Sequence, residues 1–304
     1  MYTIGVDLGG TNTAAGLVDE SGRIVARLSV ATNLPTTPER LVQSIASLSR
    51  ELMTRGGLTA RQIRSVGVGV PCTAVRETGW MEDASHLGFS AGPLAKPLEQ
   101  RLCIPVAIGN DADAAAWGEY HGGGYQGKSF LLVTLGTGIG AGIVLGGHLL
   151  QSRTGAVGEV GHMAMDPNGP LCGCGRRGCW EHYGSATALI RQARQAGVAV
   201  TGAKEVFERA AAGDTVCAGV LDRYTTFLAE GFANLINILS PDVLCIGGGV
   251  SAAGAALLEP VRNKTAQRVL SHRGDIGTRI VLAGLGNDAG ILGAALLEKQ
   301  EEYK

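Results

Sequence analysis

Charge and aromatic rings are both scarce in this chain: Asp, Glu, Lys and Arg make up 17% of its 304 residues, and Phe, Trp and Tyr 5%. With hydrophobic residues at 45%, so little charge excludes an extended disordered chain. No run of five or more Lys or Arg occurs, and 26 basic side chains face 27 acidic ones. Nucleic acid and anionic membrane surfaces are therefore poor partners. No apolar stretch reaches the ~18 residues of a membrane-spanning helix. The opening Met1-Tyr-Thr-Ile-Gly-Val-Asp7 is already strand-like and lacks the basic-then-apolar pattern of a secretory leader. The expected address is the cytoplasm. Cysteines number seven, with three crowded into Cys172–Cys179. In a reducing compartment, such crowding points to a metal rather than to disulfides.

Glycine, by contrast, is abundant at 47 residues, clustered in short loops after apolar runs, which suggests tight turns near ligands. The length suggests two domains. Apolar patterning predicts strands at Tyr2–Asp7, Thr13–Val18 and Arg23–Ser29, then a helix from about Glu39 to Arg55 with Leu41, Ile45, Leu48 and Leu52 on one face. Further strands are expected at Val66–Val70 and Val106–Ile108, the latter delivering Asn110-Asp111 into a helix over Ala112–Tyr120. The pattern then restarts, with strands at Phe130–Leu135 and Ala141–Leu145. Helices follow at Ser185–Ala196, Lys204–Ala212 and Cys217–Leu239, then strands at Val243–Ile246 and Ile280–Ala283 and a last helix at Ala289–Leu297. Asp7-Leu-Gly-Gly-Thr-Asn12 and its continuation align with Thr134-Leu-Gly-Thr-Gly138 and its continuation if one residue is gapped, suggesting an internal duplication. Strands alternating with helices give an α/β fold.

Three Gly-rich turns follow strands: Gly9-Gly10-Thr11, Gly136-Thr137-Gly138 and Gly247-Gly248-Gly249. Glycine lets backbone N–H groups approach phosphate oxygens, and Thr hydroxyls add donors. A single Gly hairpin is usually only a turn, but three in one chain point to a nucleotide. None fits the P-loop or the dinucleotide-binding spacing. Asp111 at a strand's end can take a proton from a hydroxyl that attacks a γ-phosphate; the competing reading is an Asn-Asp helix cap. His162, Cys172, Cys174 and Cys179 form a Cys₃His set suited to structural zinc, within a Gly- and Arg-rich run unlike a core segment. Asp83, Ser85 and His86 lack the nucleophile elbow a Ser-His-Asp triad would need.

At these residues the sequence resembles the ROK family (repressors, open reading frames and kinases), within the actin/hexokinase-like ATPase superfamily, and most of all its bacterial glucokinases. Asp7-Leu-Gly-Gly-Thr11 resembles the family's first phosphate loop, Leu135-Gly-Thr-Gly138 the second, and Gly247-Gly-Gly-Val250 the adenosine loop. Gly155-Ala-Val-Gly-Glu-Val-Gly-His162 through Cys172-Gly-Cys-Gly-Arg-Arg-Gly-Cys179 resembles the family signature. With no helix-turn-helix segment ahead of Met1, the resemblance is to a kinase rather than to a repressor.

That resemblance implies two actin-like (ribonuclease H-like) lobes with a cleft between them: a small lobe over 1–116 and a large one over 117–287 with a zinc loop at 162–179. A C-terminal helix at about 288–304 would pack back onto the small lobe. It implies Mg-ATP phosphorylation of a hexose, glucose foremost, with Asp111 as general base. Asn110, Glu159, His162, Glu181 and His86 would bind the sugar. Asp7, Gly9, Gly10, Thr11, Asn12 and the other two Gly turns would hold the nucleotide and Mg²⁺. A homodimer is also implied. Ser85-His-Leu-Gly-Phe89 resembles the family's Asn-Asn-Leu-Gly-Phe sugar loop with His86 at the second Asn, and Cys72 stands where a Gly is common. These departures leave mannose, allose, fructose or an N-acetylhexosamine as alternative acceptors. A sugar sensor without turnover and a zinc-ribbon interaction module are the readings from other classes. The intact Asp111 and Gly turns oppose the first, and the chain outside the cysteine loop opposes the second.

Overall fold

The computed structural model describes residues 1–151, 156–270 and 276–298. Strands β1 (Tyr2–Leu8), β2 (Asn12–Val18) and β3 (Ile24–Ala31) precede helix α1 (Pro38–Arg55). Strands β4 (Ile63–Val70), β5 (Thr73–Val75), β6 (Trp80–Glu82) and β7 (Ala91–Pro93) lead to α2 (Ala95–Leu102), β8 (Val106–Asn110) and α3 (Asp111–Gly122). The chain then forms β9 (Phe130–Leu135), β10 (Ile139–Leu145) and β11 (His148–Leu149). Helices α4 (Glu181–Gly184), α5 (Ala186–Gln195), α6 (Ala203–Ala211) and α7 (Thr215–Leu239) follow, then β12 (Val243–Gly247), α8 (Ala255–Ala266), β13 (Arg279–Leu282) and α9 (Asp288–Ala295). Among the described residues no helix is long and apolar enough to cross a membrane.

The chain divides into two compact units: Met1–Gly127 with Gly142–Val157 and Gly284–Lys304, and Lys128–Ala141 with Gly158–Ala283. The boundary expected at 116/117 falls inside α3, a continuous helix that the first unit takes whole.

In the first unit one sheet runs β3-β2-β1-β4-β8. β1, β2 and β3 are antiparallel neighbours, while β4 and β8 join β1 in parallel. Helix α1 begins where Thr37 accepts from the Arg40 amide at 3.3 Å with Pro38 in the first turn, a pairing of cap and proline that starts helices. Its buried face of Leu41, Val42, Ile45, Leu48 and Leu52 joins Ile4, Val6, Val66 and Val68 of the sheet in one core. Each such side chain contributes about 1.5–3 kcal/mol. A three-stranded sheet, β5-β6-β7, was not foreseen; its strands are only three residues each, too short to show a period.

The second five-stranded sheet runs β11-β10-β9-β12-β13. Numbered within its own repeat, each sheet has the strand order third, second, first, fourth, fifth, so the duplication seen in the sequence is one of topology as well. In the second unit β9, β12 and β13 are parallel. Helix α7, capped by Asp214 accepting from the Val216 and Cys217 amides at 3.0 Å, buries Tyr224, Leu228, Phe232 and Leu235. Helix α8 also went unforeseen, because Pro260 lies inside it and proline reads as a helix breaker.

Candidate active site

In the first unit, Asn110 ends β8 and Asp111 opens α3. The Asn110 side chain is the helix cap: its Oδ1 accepts from the Ala112 and Asp113 amides at 2.9 and 3.3 Å, and its Nδ2 donates to the Cys72 carbonyl at 3.3 Å. The capping reading thus holds for Asn110, and Asp111 Oδ1 shares in it by accepting from the Ala112 amide at 2.8 Å. Asp111 is partly exposed at the carboxyl end of a parallel strand, where open α/β sheets place ligands. Gly69 of β4 faces this first turn; a Cβ there would meet Ala114 Cβ at 3.2 Å and Asp111 Cα at 3.5 Å. Cys72 is buried nearby, and burial followed by the charges of Asp111 and Asp83 pushes its thiol up to about 12. His86 lies exposed in a short 3-10 turn, Ser85–Leu87, which Thr36 ties down by donating its amide to the Leu87 carbonyl at 2.8 Å.

Asp7 sits near the carboxyl end of β1, just ahead of Gly9-Gly10-Thr11-Asn12. The turn closes through the Gly9 amide donating to the Asn12 carbonyl at 3.0 Å, and Thr32 donates its amide to the Thr11 carbonyl at 2.8 Å. Gly10 faces open space, with Thr11 and Asn12 exposed beside it. Burial raises the Asp7 carboxyl above the ordinary range. Gly290 of α9 leaves room for that carboxylate: a Cβ at 290 would stand 2.6 Å from Asp7 Oδ2. Nothing in the sequence marked Gly290, because α9 is buried on every side and carries no helical periodicity.

The second unit brings together two Gly turns and three of the expected sugar ligands. Gly248 has φ +78°, and a Cβ on it would stand 2.5 Å from the Leu135 carbonyl oxygen. Only glycine fits there, and the contact sets the turn after β12 against the end of β9, where Gly136 begins. Gly136-Thr137-Gly138 closes through the Gly136 amide to the Gly138 carbonyl at 3.0 Å, and the Ala186 amide of α5 donates to the Gly136 carbonyl at 2.8 Å. A Cβ on Gly138 would lie 2.7 Å from Glu181 Oε2, so this turn and Glu181 are neighbours.

Around His162, Nε2 lies 3.8 Å from Glu159 Oε2 and Nδ1 lies 3.7 Å from Glu181 Oε1. Nδ1 is also 3.7 Å from Cys172 Sγ, the Cys172 thiol donates to Glu181 Oε1 at 3.1 Å, and Cys174 and Cys179 are 3.6 Å apart between sulfurs. Ligand atoms of His162, Cys172, Cys174 and Cys179 all lie within 4.8 Å of one another. A tetrahedral zinc with bonds of about 2.3 Å to sulfur separates its ligands by roughly 3.8 Å, so the cluster has the size of that ion's coordination shell. Burial raises the Cys172 thiol to about 12 and lifts Cys179, while the Arg176 amide draws Cys174 down. The loop is shaped by backbone bonds from Cys172 to Arg176 and from Gly178 to Pro170, at 2.8 and 2.9 Å. Next to Cys179, Trp180 is fully buried, and its indole N–H donates to the Phe227 carbonyl of α7 at 2.8 Å. This anchor escaped the sequence reading, because a single Trp after a Cys carries no pattern. Gly155, at the start of the signature, lies outside the described residues.

The ROK family profile matches residues 3–301. The chain belongs to the ROK family. A glucokinase from Streptomyces coelicolor is 36% identical over 99% of this chain and 98% of its own length. An N-acetylmannosamine kinase from Escherichia fergusonii is 34% identical over 99% of this chain and all of its own. Among solved structures, a ROK family glucokinase from Streptomyces griseus, in complex with glucose and AMPPNP, superimposes with a TM-score of 0.85 at 36% identity, covering 98% of this chain and 100% of that one. The α/β fold is that of the ROK glucokinases, of the actin-like ATPase class.

Proposed function

We propose that this ROK chain is an ATP-dependent hexose kinase whose principal reaction converts glucose to glucose 6-phosphate. Full-length likeness to glucokinases supports the reaction class. The observation that carries the chemistry is Asp111, partly exposed at the carboxyl end of β8 and held there by the Asn110 cap.

In this reading the Asp111 carboxylate accepts the proton of the attacking sugar hydroxyl. The hydroxyl oxygen forms a bond to the γ-phosphorus, and the bond from that phosphorus to the bridging oxygen of ADP breaks. Positioning does most of the work in such a transfer. Asn110, Glu159, His162, Glu181 and His86 are the proposed partners of the sugar hydroxyls, because a site built of hydrogen-bonding groups rejects acceptors that leave them unpaired. Gly9, Gly10, Thr11 and Asn12, together with Gly136, Thr137, Gly138 and Gly247, Gly248, Gly249, are the proposed cradle for the nucleotide. Asp7 would supply a carboxylate oxygen toward Mg²⁺ through water, in keeping with that ion's preference for oxygen ligands and retained hydration. Cys172, Cys174, Cys179 and His162 Nδ1 would hold zinc, leaving Nε2 beside Glu159 to face the sugar. When bound, zinc would fix the loop and the orientation of the His162 ring. A cytoplasmic homodimer completes the proposal, on family resemblance.

N-acetylmannosamine phosphorylation is the second reading, favoured by the 34% identity to a kinase of that sugar. A coupled ADP-release assay across glucose, mannose, allose, fructose, N-acetylglucosamine and N-acetylmannosamine separates the two. The highest kcat/KM for glucose supports the proposal. A preference of tenfold or more for an N-acetylhexosamine replaces it with the second reading, and silence with every sugar rejects both.

A further inference from the structure

We infer that Glu119 is a positioning residue for the phosphoryl transfer, acting through α9 on Asp7; the inference rests on the kinase reading above. Glu119 stands on α3 eight residues after Asp111, and it is 1% exposed. Its two carboxylate oxygens accept backbone bonds from consecutive residues: Oε2 from the Gly284 amide at 3.2 Å and Oε1 from the Leu285 amide at 2.6 Å. Those residues begin the segment that enters α9. A buried carboxylate is costly to desolvate, and a bond to a charged acceptor is about twice as strong as a neutral one. Two such bonds make a strong anchor on the leading end of α9.

The contact between α3 and α9 explains why an anchor is needed. A Cβ on Gly118 would stand 2.0 Å from the Ala289 carbonyl oxygen, and one on Gly293 would stand 1.6 Å from that of Ala114. The two helices therefore meet backbone to backbone, with only small side chains between them there, Ala114 of α3 packing with Ala294 of α9. Two α3 residues add hydrogen bonds that tie down the two ends of α9. Trp117 donates its indole N–H to the Leu296 carbonyl at 3.3 Å at the trailing end of α9, and Glu119 holds the leading end. What rides on the position is Gly290, against which the Asp7 carboxylate lies. A slide of α9 by a fraction of a residue would press on that carboxylate. The same helix that presents Asp111 at its first residue thus also governs the surroundings of Asp7 through Glu119.

The test uses full-length Glu119→Gln and Glu119→Ala. Glutamine keeps the shape but offers one acceptor to two amides. Misplacement of reacting groups by about 1 Å can lower rates by about 100-fold. The expected results are a kcat about tenfold lower for Glu119→Gln and about 100-fold lower for Glu119→Ala, a several-fold weaker affinity for ATP in Mg²⁺ by calorimetry, and a sugar KM within about twofold of the wild type. A loss of folded protein alone would also lower apparent kcat at unchanged KM, but it would leave the ATP affinity of the remaining sites at the wild-type value. The weaker calorimetric affinity is therefore the readout that a merely structural role would not move. Should Glu119→Ala fail to fold, Glu119→Gln carries the test. Wild-type kcat and ATP affinity in a folded Glu119→Gln would overturn the inference. A wild type that phosphorylates no sugar would instead defeat the kinase reading. The calorimetric comparison of ATP affinity would then decide for or against Glu119 without turnover.

Discussion

Asp7 illustrates how function is set against stability at a single residue. Burial raises its carboxyl above the ordinary value of about 3.9. A group whose folded pKa is raised contributes full stability below its unfolded pKa and loses it as pH rises through the folded one. At neutral pH, above the unfolded value, the buried Asp7 carboxyl therefore costs the unliganded fold stability. Asp7→Asn should raise Tm at pH 7 and lose that advantage below about pH 4, while phosphorylation falls to background. Melting curves across this range check it; an Asn variant less stable than wild type at pH 7 would count against it. The cysteines give the second expectation at this scale. Cys174→Ser should remove one equivalent of bound zinc in metal analysis of purified protein and weaken sugar binding, because His162 loses the metal that orients its ring. Unaltered zinc content would show that the metal is not held by this set.

Among the elements, α3 and α9 approach each other backbone to backbone. Gly293→Ala drives a methyl group to within 1.6 Å of the Ala114 carbonyl oxygen, so the helices must part. Overpacking of this kind destabilises by about 1–3 kcal/mol. Denaturant unfolding of Gly293→Ala should show that loss, and an unchanged midpoint would contradict the close approach. This contact also marks the limit of what was legible from sequence. The face of α1 was readable because Leu41, Ile45, Leu48 and Leu52 repeat at helical spacing against a polar exterior. Helix α9 is buried all round, so its Gly residues carry no period, and neither their partners nor the role of Glu119 could be read from the chain. Pro260 hid α8, and three-residue strands hid the small sheet. Turn chemistry, in contrast, is local: glycines following apolar strands announced the turns after β1, β9 and β12 by composition alone. At Gly248 the structure supplies what composition lacked, the contact with Leu135.

For the molecule as a whole, one strand order used twice gives two sheets in which β1, β9 and β12 end in Gly turns and β8 ends in Asn110-Asp111. Sequence revealed the repeat through Asp7–Val18 and Thr134–Val144, because the strand-turn-strand unit is contiguous; the fourth and fifth strands of each sheet pair over long separations and left no such trace. The proposed activity depends on a carboxylate at the end of one of those strands. Its most direct test is kcat for glucose phosphorylation by the wild type and Asp111→Asn in the coupled ADP-release assay, with glucose affinity measured in parallel by calorimetry. The account predicts a kcat at least about 100-fold lower for Asp111→Asn, with glucose binding retained within about threefold. A variant that turns glucose over at the wild-type rate would contradict it.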